Sequence, residues 1–388
     1  MDSDIEQAKH TSNDRLPATR PTMLLVLGMH RSGTSLATRS LECLGATNSI
    51  NLMPENPDNP KGYFEDLDIY RFNDTKLLPA LEIKWHSIGG VDWTLMSEKV
   101  RSRMALEALT ILRKNYSQAN PISVLKEPRI GMLLPFWLPI LQHAGYDTKV
   151  VCSVRDPASV ARSLEKRNGF HFSHSGGLYT SCYLSILQGI QELPVAFVQF
   201  DDIFENPGRC LKKISEKLTI QIPADFEEKL HTFSSSFLDN ELRHAKFKSD
   251  DMGLVIDLPP LAIELYSNLE VAVKSQNVKK TFRFIKKAHE IVRQVKPILE
   301  NFDSFYIESN GAEMKLADAL QNSQQLQEQL EQSKNALQES GENKKELTEQ
   351  VQLLEDELET RFEELSELGK LYTEIKDSNI LSRIKGFN

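Results

Sequence analysis

The sequence predicts an α/β fold: a parallel β-sheet flanked by helices, followed by a C-terminal helical coiled coil. Three observations carry that prediction. Four short apolar runs alternate with longer helical patterns in the first part of the chain. A polar loop bracketed by glycines joins the first run to a helix. A heptad repeat occupies the end of the chain.

Residues 1–21 are polar and charged and read as a disordered lead with no secretory core. The apolar runs are Met23–Leu27, Ile122–Leu125, Thr148–Ser153 and Val195–Phe200. Between them Val100–Lys114 and Leu178–Glu192 have helical spacing. Strands alternating with helices build a parallel sheet covered on both faces, and ligands of such sheets collect beyond the strands' carboxyl ends. Arg31, Lys126 and Arg155 each follow a strand, so they should converge on one crevice. Ser49–Asp66, with prolines at 54, 57 and 60, reads as a loop long enough to fold over it.

The first loop lies in Met23-Leu-Leu-Val-Leu-Gly-Met-His-Arg-Ser-Gly-Thr-Ser35. Glycines let the backbone curl so that successive N–H groups face inward, and the helix that follows adds a partial positive charge. The Gly28-x4-Gly33 spacing is P-loop-like, but Thr34 stands where a P-loop has its lysine, and the loop's cation is Arg31. Nucleoside-triphosphate chemistry therefore lacks its usual clamp. A second motif is Val154-Arg-Asp-Pro-Ala-Ser-Val-Ala-Arg-Ser-Leu164. Arg155 sits at a strand end, Asp156-Pro157 opens a helix, and Ser163 falls about two turns along it. The arginine and the serine can hold one phosphate from two sides.

Together the two motifs resemble those of sulfotransferases. His30-Arg-Ser-Gly-Thr-Ser35 is similar to the family's 5′-phosphosulfate loop, and the Arg155-x7-Ser163 spacing to its 3′-phosphate motif. The resemblance runs from about Met23 to Leu242. It includes Asn59-Pro-Lys-Gly-Tyr-Phe-Glu-Asp66, Leu125-Lys-Glu-Pro-Arg129 and Phe200-Asp-Asp-Ile-Phe-Glu-Asn-Pro207, which look like segments of the bacterial-type, carbohydrate-directed members.

The resemblance implies 3′-phosphoadenylyl sulfate as co-substrate, no metal, and a hydroxyl acceptor on a glycan or glycolipid. Arg31, Ser32, Gly33, Thr34 and Ser35 would hold the phosphosulfate, while Arg155 and Ser163 would hold the 3′-phosphate. Carbohydrate sulfotransferases commonly use a glutamate after the first loop–helix unit as base, a place that Glu65 occupies here. Glu55 and Asp66 compete with it. His171 and His174 are rivals, in a glycine-flanked stretch (169–177) that reads as a mobile loop lining the acceptor site. Other family members use a Lys-x-His base, but Lys126-Glu-Pro-Arg129 has no histidine. Lys126 and Arg129 could contact phosphosulfate or an anionic acceptor, or pair with Glu127. The family's basic glycine-rich segment has no clear counterpart, Leu242-Arg-His244 being a faint substitute.

Composition narrows the classes further. A net charge of −9 over 388 residues argues against a nucleic-acid partner. Four cysteines (Cys43, Cys152, Cys182 and Cys210) have no metal-ligand spacing and read as buried thiols. No apolar stretch approaches a membrane span, so the expected location is cytoplasmic. From Leu316 to Ile375 apolar residues recur at a and d positions, including Leu330, Leu337, Val351, Leu358 and Leu365 at a, and Leu326, Leu347, Leu354 and Leu368 at d. Gly341 weakens the middle, and a homodimer through this seam is the simpler use of it.

The expected divisions are a lead (1–21), a sulfotransferase-like domain (22–255), a helical extension (256–312), a coiled coil (313–377) and a tail (378–388). Two other readings compete. One is a P-loop kinase-like phosphotransferase with Asp201 or Asp202 on magnesium; the other is a non-catalytic coiled-coil scaffold.

Overall fold

The computed structural model describes residues 20–55, 62–238, 258–276, 319–335 except 321, and 344–377, with single positions at 288, 290 and 291. The predicted lead (almost entirely), Leu242–His244, most of the predicted helical extension after residue 276 and the tail lie outside the described residues.

Four strands form a parallel sheet in the order β2-β1-β3-β4: β1 Thr22–Leu27, β2 Ile122–Lys126, β3 Asp147–Val154 and β4 Val195–Gln199. Each coincides with a predicted apolar run. In the register, Leu25 lies opposite Leu125 on one side and Val150 on the other, and Val151 pairs with Ala196. Residues 23–26 of β1 are completely buried, as a central parallel strand requires.

The helices between the strands are α1 Thr34–Leu41, α2 Leu67–Phe72, α3 Leu78–Ala80, α4 Glu98–Asn115, α5 Ile130–His143, α6 Pro157–Asn168 and α7 Phe172–Gly189. After β4 come α8 Phe200–Glu205, α9 Pro207–Leu218, α10 Phe226–Ser236 and α11 Pro260–Ser275. Local chemistry sets several starts. Ser97 accepts from Val100 N at α4, Asp156 from Ser159 N at α6, and Asn206 from Arg209 N at α9. One face of the sheet packs on a core that includes Leu36, Leu41, Leu211, Ile214 and Phe226. On the outer edge of β4 the Gln276 carboxamide accepts from Phe197 N and donates to its carbonyl, taking the place of a neighbouring strand.

One expectation is corrected. Residues 169–177 are not one loop, because α7 begins at Phe172 and carries His174 into the interior at 1 % exposure. The apolar stretch Met132–Leu141 lies in the buried helix α5, with Pro135 and Pro139 inside it.

The chain divides into two units, Met1–Lys296 and Pro297–Asn388. The second unit contains a helical run at 322–335 and the helix Lys344–Asp377. Lys334 Nζ lies 2.8 Å from Glu355 Oε1. One continuous helix would hold residues so far apart in sequence about 30 Å from each other, so the two runs lie side by side. Along 351–368 the half-buried positions include Val351, Leu354, Leu358, Leu365 and Leu368, which are the a and d positions. No helix of the described residues is long and apolar enough to cross a membrane.

Candidate functional site

The sheet order reverses at β1, whose neighbours are β2 and β3, and the loops after β1 and β3 border that crevice. Gly28 leaves β1 hard against β3. A β-carbon there would fall 2.7 Å from both the Ser153 carbonyl oxygen and Ser32 Oγ, so only glycine fits. The loop is then curled and pinned. Ser32 N and Oγ both donate to Met29 O, at 3.1 and 2.6 Å, and Ser153 Oγ donates to Ser32 O at 2.8 Å.

Arg31 and Gly33 both adopt left-handed backbone, φ 68 and 88, unusual for the arginine. At Gly33 a side chain would run into the Phe200 ring. α1 starts directly afterwards with Gly33 as its N-cap, no side chain capping it, and no acidic residue in its first turn. A helix start left in that state offers its N–H groups and its dipole to an anion.

Two cations and a hydroxyl gather at this loop. Arg31 Nε donates to Ser163 Oγ at 2.8 Å, and Arg155 Nη1 donates to the Arg31 carbonyl at 3.1 Å. The Arg155 guanidinium carbon lies 4.4 Å from the centre of the Phe200 ring, the ring that packs on Gly33. Tyr179 OH donates to Arg155 O at 3.0 Å and Tyr183 OH to Ser153 O at 2.6 Å, which fixes the end of β3. Burial lowers the proton affinity of Arg155, opposed by the charges of Asp156 and Asp201. The two sequence motifs, expected as separate grips, therefore meet as one cluster.

Glu65 reaches the same loop through Lys126. Lys126 Nζ donates to Glu65 Oε1 at 2.6 Å, to Tyr63 O at 2.9 Å and to Ser35 Oγ at 3.4 Å, while Ser35 Oγ donates to Tyr63 O at 3.2 Å. The ion pair is buried, with side chains 2 % and 8 % exposed. Lys126 thus pairs with Glu65 and not with Glu127. Glu127 instead accepts from Arg129 Nη1 at 2.7 Å and from Asn73 Nδ2 at 2.6 Å.

Among the competing bases, Asp66 has structural work: it caps α2 through Ile69 N and accepts from Ser49 Oγ and Asn115 Nδ2. Glu55 is exposed. His174 is buried, and its proton affinity is depressed to about 3, chiefly by desolvation.

Sequence reasoning passed over one group beside the loop. The His30 ring lies 4.5 Å from the Trp85 ring, which stacks on Phe170 at 5.7 Å and has the Arg167 guanidinium 5.5 Å from its centre. His30 was in plain view within the motif, but Trp85 reaches it, and Phe170 stacks on Trp85, from segments with no pattern of their own. Burial, then the charges of Arg129, Arg167, Lys126 and Arg31, hold the His30 imidazole well below its ordinary proton affinity.

Fold and site together define a parallel α/β protein in which the loop after β1, an uncapped helix start, Arg31, Arg155 and Ser163 meet at the switch point of the sheet. No family model matches the chain, and no curated protein matches it. Two of the solved structures it resembles are sulfotransferase domains. One is the sulfotransferase domain of the Synechococcus PCC 7002 olefin synthase, at 16% identity over 66% of this chain and 97% of that one, with a TM-score of 0.39. Another is the sulfotransferase domain of the curacin biosynthetic pathway, at 16% identity over 65% and 99%, with a TM-score of 0.36.

Proposed function

We propose that the protein is a sulfotransferase that moves a sulfuryl group from 3′-phosphoadenylyl sulfate to an acceptor hydroxyl, on a glycan or glycolipid. The observation that carries this reading is the meeting of Arg31, Ser163 and Arg155 at a helix start without a side-chain cap. The loop N–H groups and Arg31 suit the phosphosulfate, and Arg155 with Ser163 suits the 3′-phosphate.

Sulfuryl transfer needs alignment of donor and acceptor, donors for the charge that develops on the leaving phosphate, and a proton acceptor. The arginine fork can hold two oxygens at once, and the loop supplies directional N–H groups in a curl set before binding. Lys126, beside Ser35, is near enough to the loop to turn from Glu65 towards a bound phosphosulfate. Glu65 and His30 are the two groups beside the loop able to take the acceptor's proton. No group of three or more metal-ligating side chains occurs among the described residues, and this chemistry asks for none.

The C-terminal unit fits an antiparallel helical hairpin whose heptad seam closes within one chain, on the strength of the Lys334–Glu355 pair. The test of the main reading is direct. Incubation with 3′-phosphoadenylyl sulfate should release adenosine 3′,5′-bisphosphate in a reaction that Arg31→Ala suppresses. Phosphoryl transfer from ATP with magnesium, and none from the phosphosulfate, would replace it with the kinase reading.

A further inference from the structure

Glu65 is held by a cation. Accepting a proton would cancel the charge that holds its buried 2.6 Å contact with Lys126. The site contains a second group, an imidazole in place of an ion-paired carboxylate. His30 precedes Arg31 in the loop, so its imidazole is carried by the same backbone that would cradle the sulfate. The Trp85 ring fixes it from the side, and Trp85 is itself held by Phe170 and Arg167.

We propose that His30 takes the proton of the acceptor hydroxyl during sulfuryl transfer. The inference rests on the sulfotransferase reading and deepens it. In the step, the acceptor oxygen forms a bond to sulfur as the bond from sulfur to the 5′-phosphate oxygen breaks. The electron pair of the broken bond leaves with adenosine 3′,5′-bisphosphate, and the acceptor's proton passes to an imidazole nitrogen. No oxidant, reductant or metal enters the balance.

The charges facing His30 argue for a switch built on donor binding. Arg31 approaches from its own loop, Lys126 and Arg129 from the end of β2, and Arg167 from α6. Part of that charge is neutralised locally, because Lys126 pairs with Glu65, and Arg129 with Glu127 and Asp74. Burial first, and then the cationic charge that remains, keep the free imidazole neutral, as a proton acceptor must be. Protonation among cations is unfavourable until the polyanionic donor occupies the loop and reverses the local field. Proton affinity then rises when the reaction needs it and falls when the product leaves. Glu65 responds differently, because before the donor binds its carboxylate is paired with Lys126.

The experiment follows the His30 ring by NMR, assigned by its disappearance in His30→Asn, with and without adenosine 3′,5′-bisphosphate. The free ring should remain neutral from pH 8 down to pH 6, and saturating bisphosphate should raise its midpoint by at least about one pH unit, a tenfold change in proton affinity. A ring protonated at pH 7 in the free protein, or a midpoint that bisphosphate leaves unmoved, overturns the proposal. Bisphosphate that does not bind at all, seen as unchanged spectra throughout, defeats the underlying donor reading instead and takes the proposal with it.

Kinetics give the second arm, with two probes. 4-Nitrophenol is largely ionised near pH 7.5 and needs little base, whereas the hydroxyls of methyl β-glucoside need one. His30→Asn should lower transfer to the glucoside on the order of 10²–10⁴-fold, and transfer to nitrophenol by a much smaller factor. The same selective loss in Glu65→Gln, with His30→Asn near normal, assigns the proton to Glu65 and overturns the proposal.

Discussion

Arg31 Nε donates to Ser163 Oγ at 2.8 Å, joining residues 132 positions apart. The loop after β1 is thereby tied to the second half of α6, and the backbone carbonyl of the same Arg31 receives Arg155. Residues that share a network of this kind respond to mutation as a unit. In donor binding, Arg31→Ala and Ser163→Ala should be non-additive, with a coupling of about 0.5–3 kcal/mol in a double-mutant cycle. Strict additivity in calorimetric titrations would mean that the contact carries no binding energy.

The roles of the two arginines should still separate. On the proposed reading Arg155 serves a remote phosphate, so Arg155→Ala should chiefly weaken donor affinity, whereas Arg31→Ala should lower both affinity and turnover. Equal and purely catalytic defects in both variants would contradict that division.

Gly33→Ala should be severe for its size. The position has φ 88, and a methyl group there meets the Phe200 ring on which Arg155 lies. The expected loss is about 1–3 kcal/mol of stability, together with weakened donor binding because Phe200 must shift under Arg155. Thermal unfolding of the variant within a degree of the parent would refute this packing argument.

The buried Lys126–Glu65 pair makes a distinct stability prediction. Lys126→Met alone strands a carboxylate and should cost about 3–5 kcal/mol, while Lys126→Met with Glu65→Gln should recover much of that loss. Denaturant midpoints of the three proteins measure it. A double variant worse than the single would show that the pair is not the source.

Acid sensitivity follows from buried imidazoles. Burial lowers His174 to about 3 and His86 to about 4. Folded values below the unfolded value of about 6.5 mean that the unfolded chain binds more protons, so stability is complete above pH 6.5 and lost as pH falls towards 4. The slope should approach about 1.4 kcal/mol per pH unit for each group. His174→Phe should flatten the curve of stability against pH between 6 and 4; an unchanged slope would remove His174 as a cause.

Much of this was legible beforehand. Each strand was marked by its own apolar run, because a buried parallel strand is apolar throughout. The loop was marked by Gly28 and Gly33, whose close approaches exclude other residues. Pairings between distant segments were not legible. Lys126 has Glu127 beside it in sequence, but consecutive residues of an extended strand end point to opposite sides, and the lysine meets Glu65 instead. Residues 169–177 read as a loop because the glycines obscure a helix, starting at Phe172, that is buried on most sides and so has little amphipathic signal. The heptads could not tell pairing within one chain from pairing between two, since both use the same a and d positions.

That ambiguity has a simple resolution. Light scattering on the full chain and on a form ending near Asn310 should give monomeric masses for both if the seam closes inside one chain. A full-length dimer that becomes monomeric on truncation would restore the self-association expected from sequence.

The central claim is that the loop at Gly28–Ser35 and the Arg155–Ser163 helix together receive a 3′-phosphorylated nucleotide. A thermal-shift titration with adenosine 3′,5′-bisphosphate in the presence of EDTA tests it most directly. The account predicts a melting temperature that rises with ligand concentration, about 2.7 kcal/mol of apparent stabilisation at a hundredfold excess over the dissociation constant, and loss of the effect in Arg155→Ala. No shift with the bisphosphate, alongside a clear rise with ATP and magnesium, would contradict it.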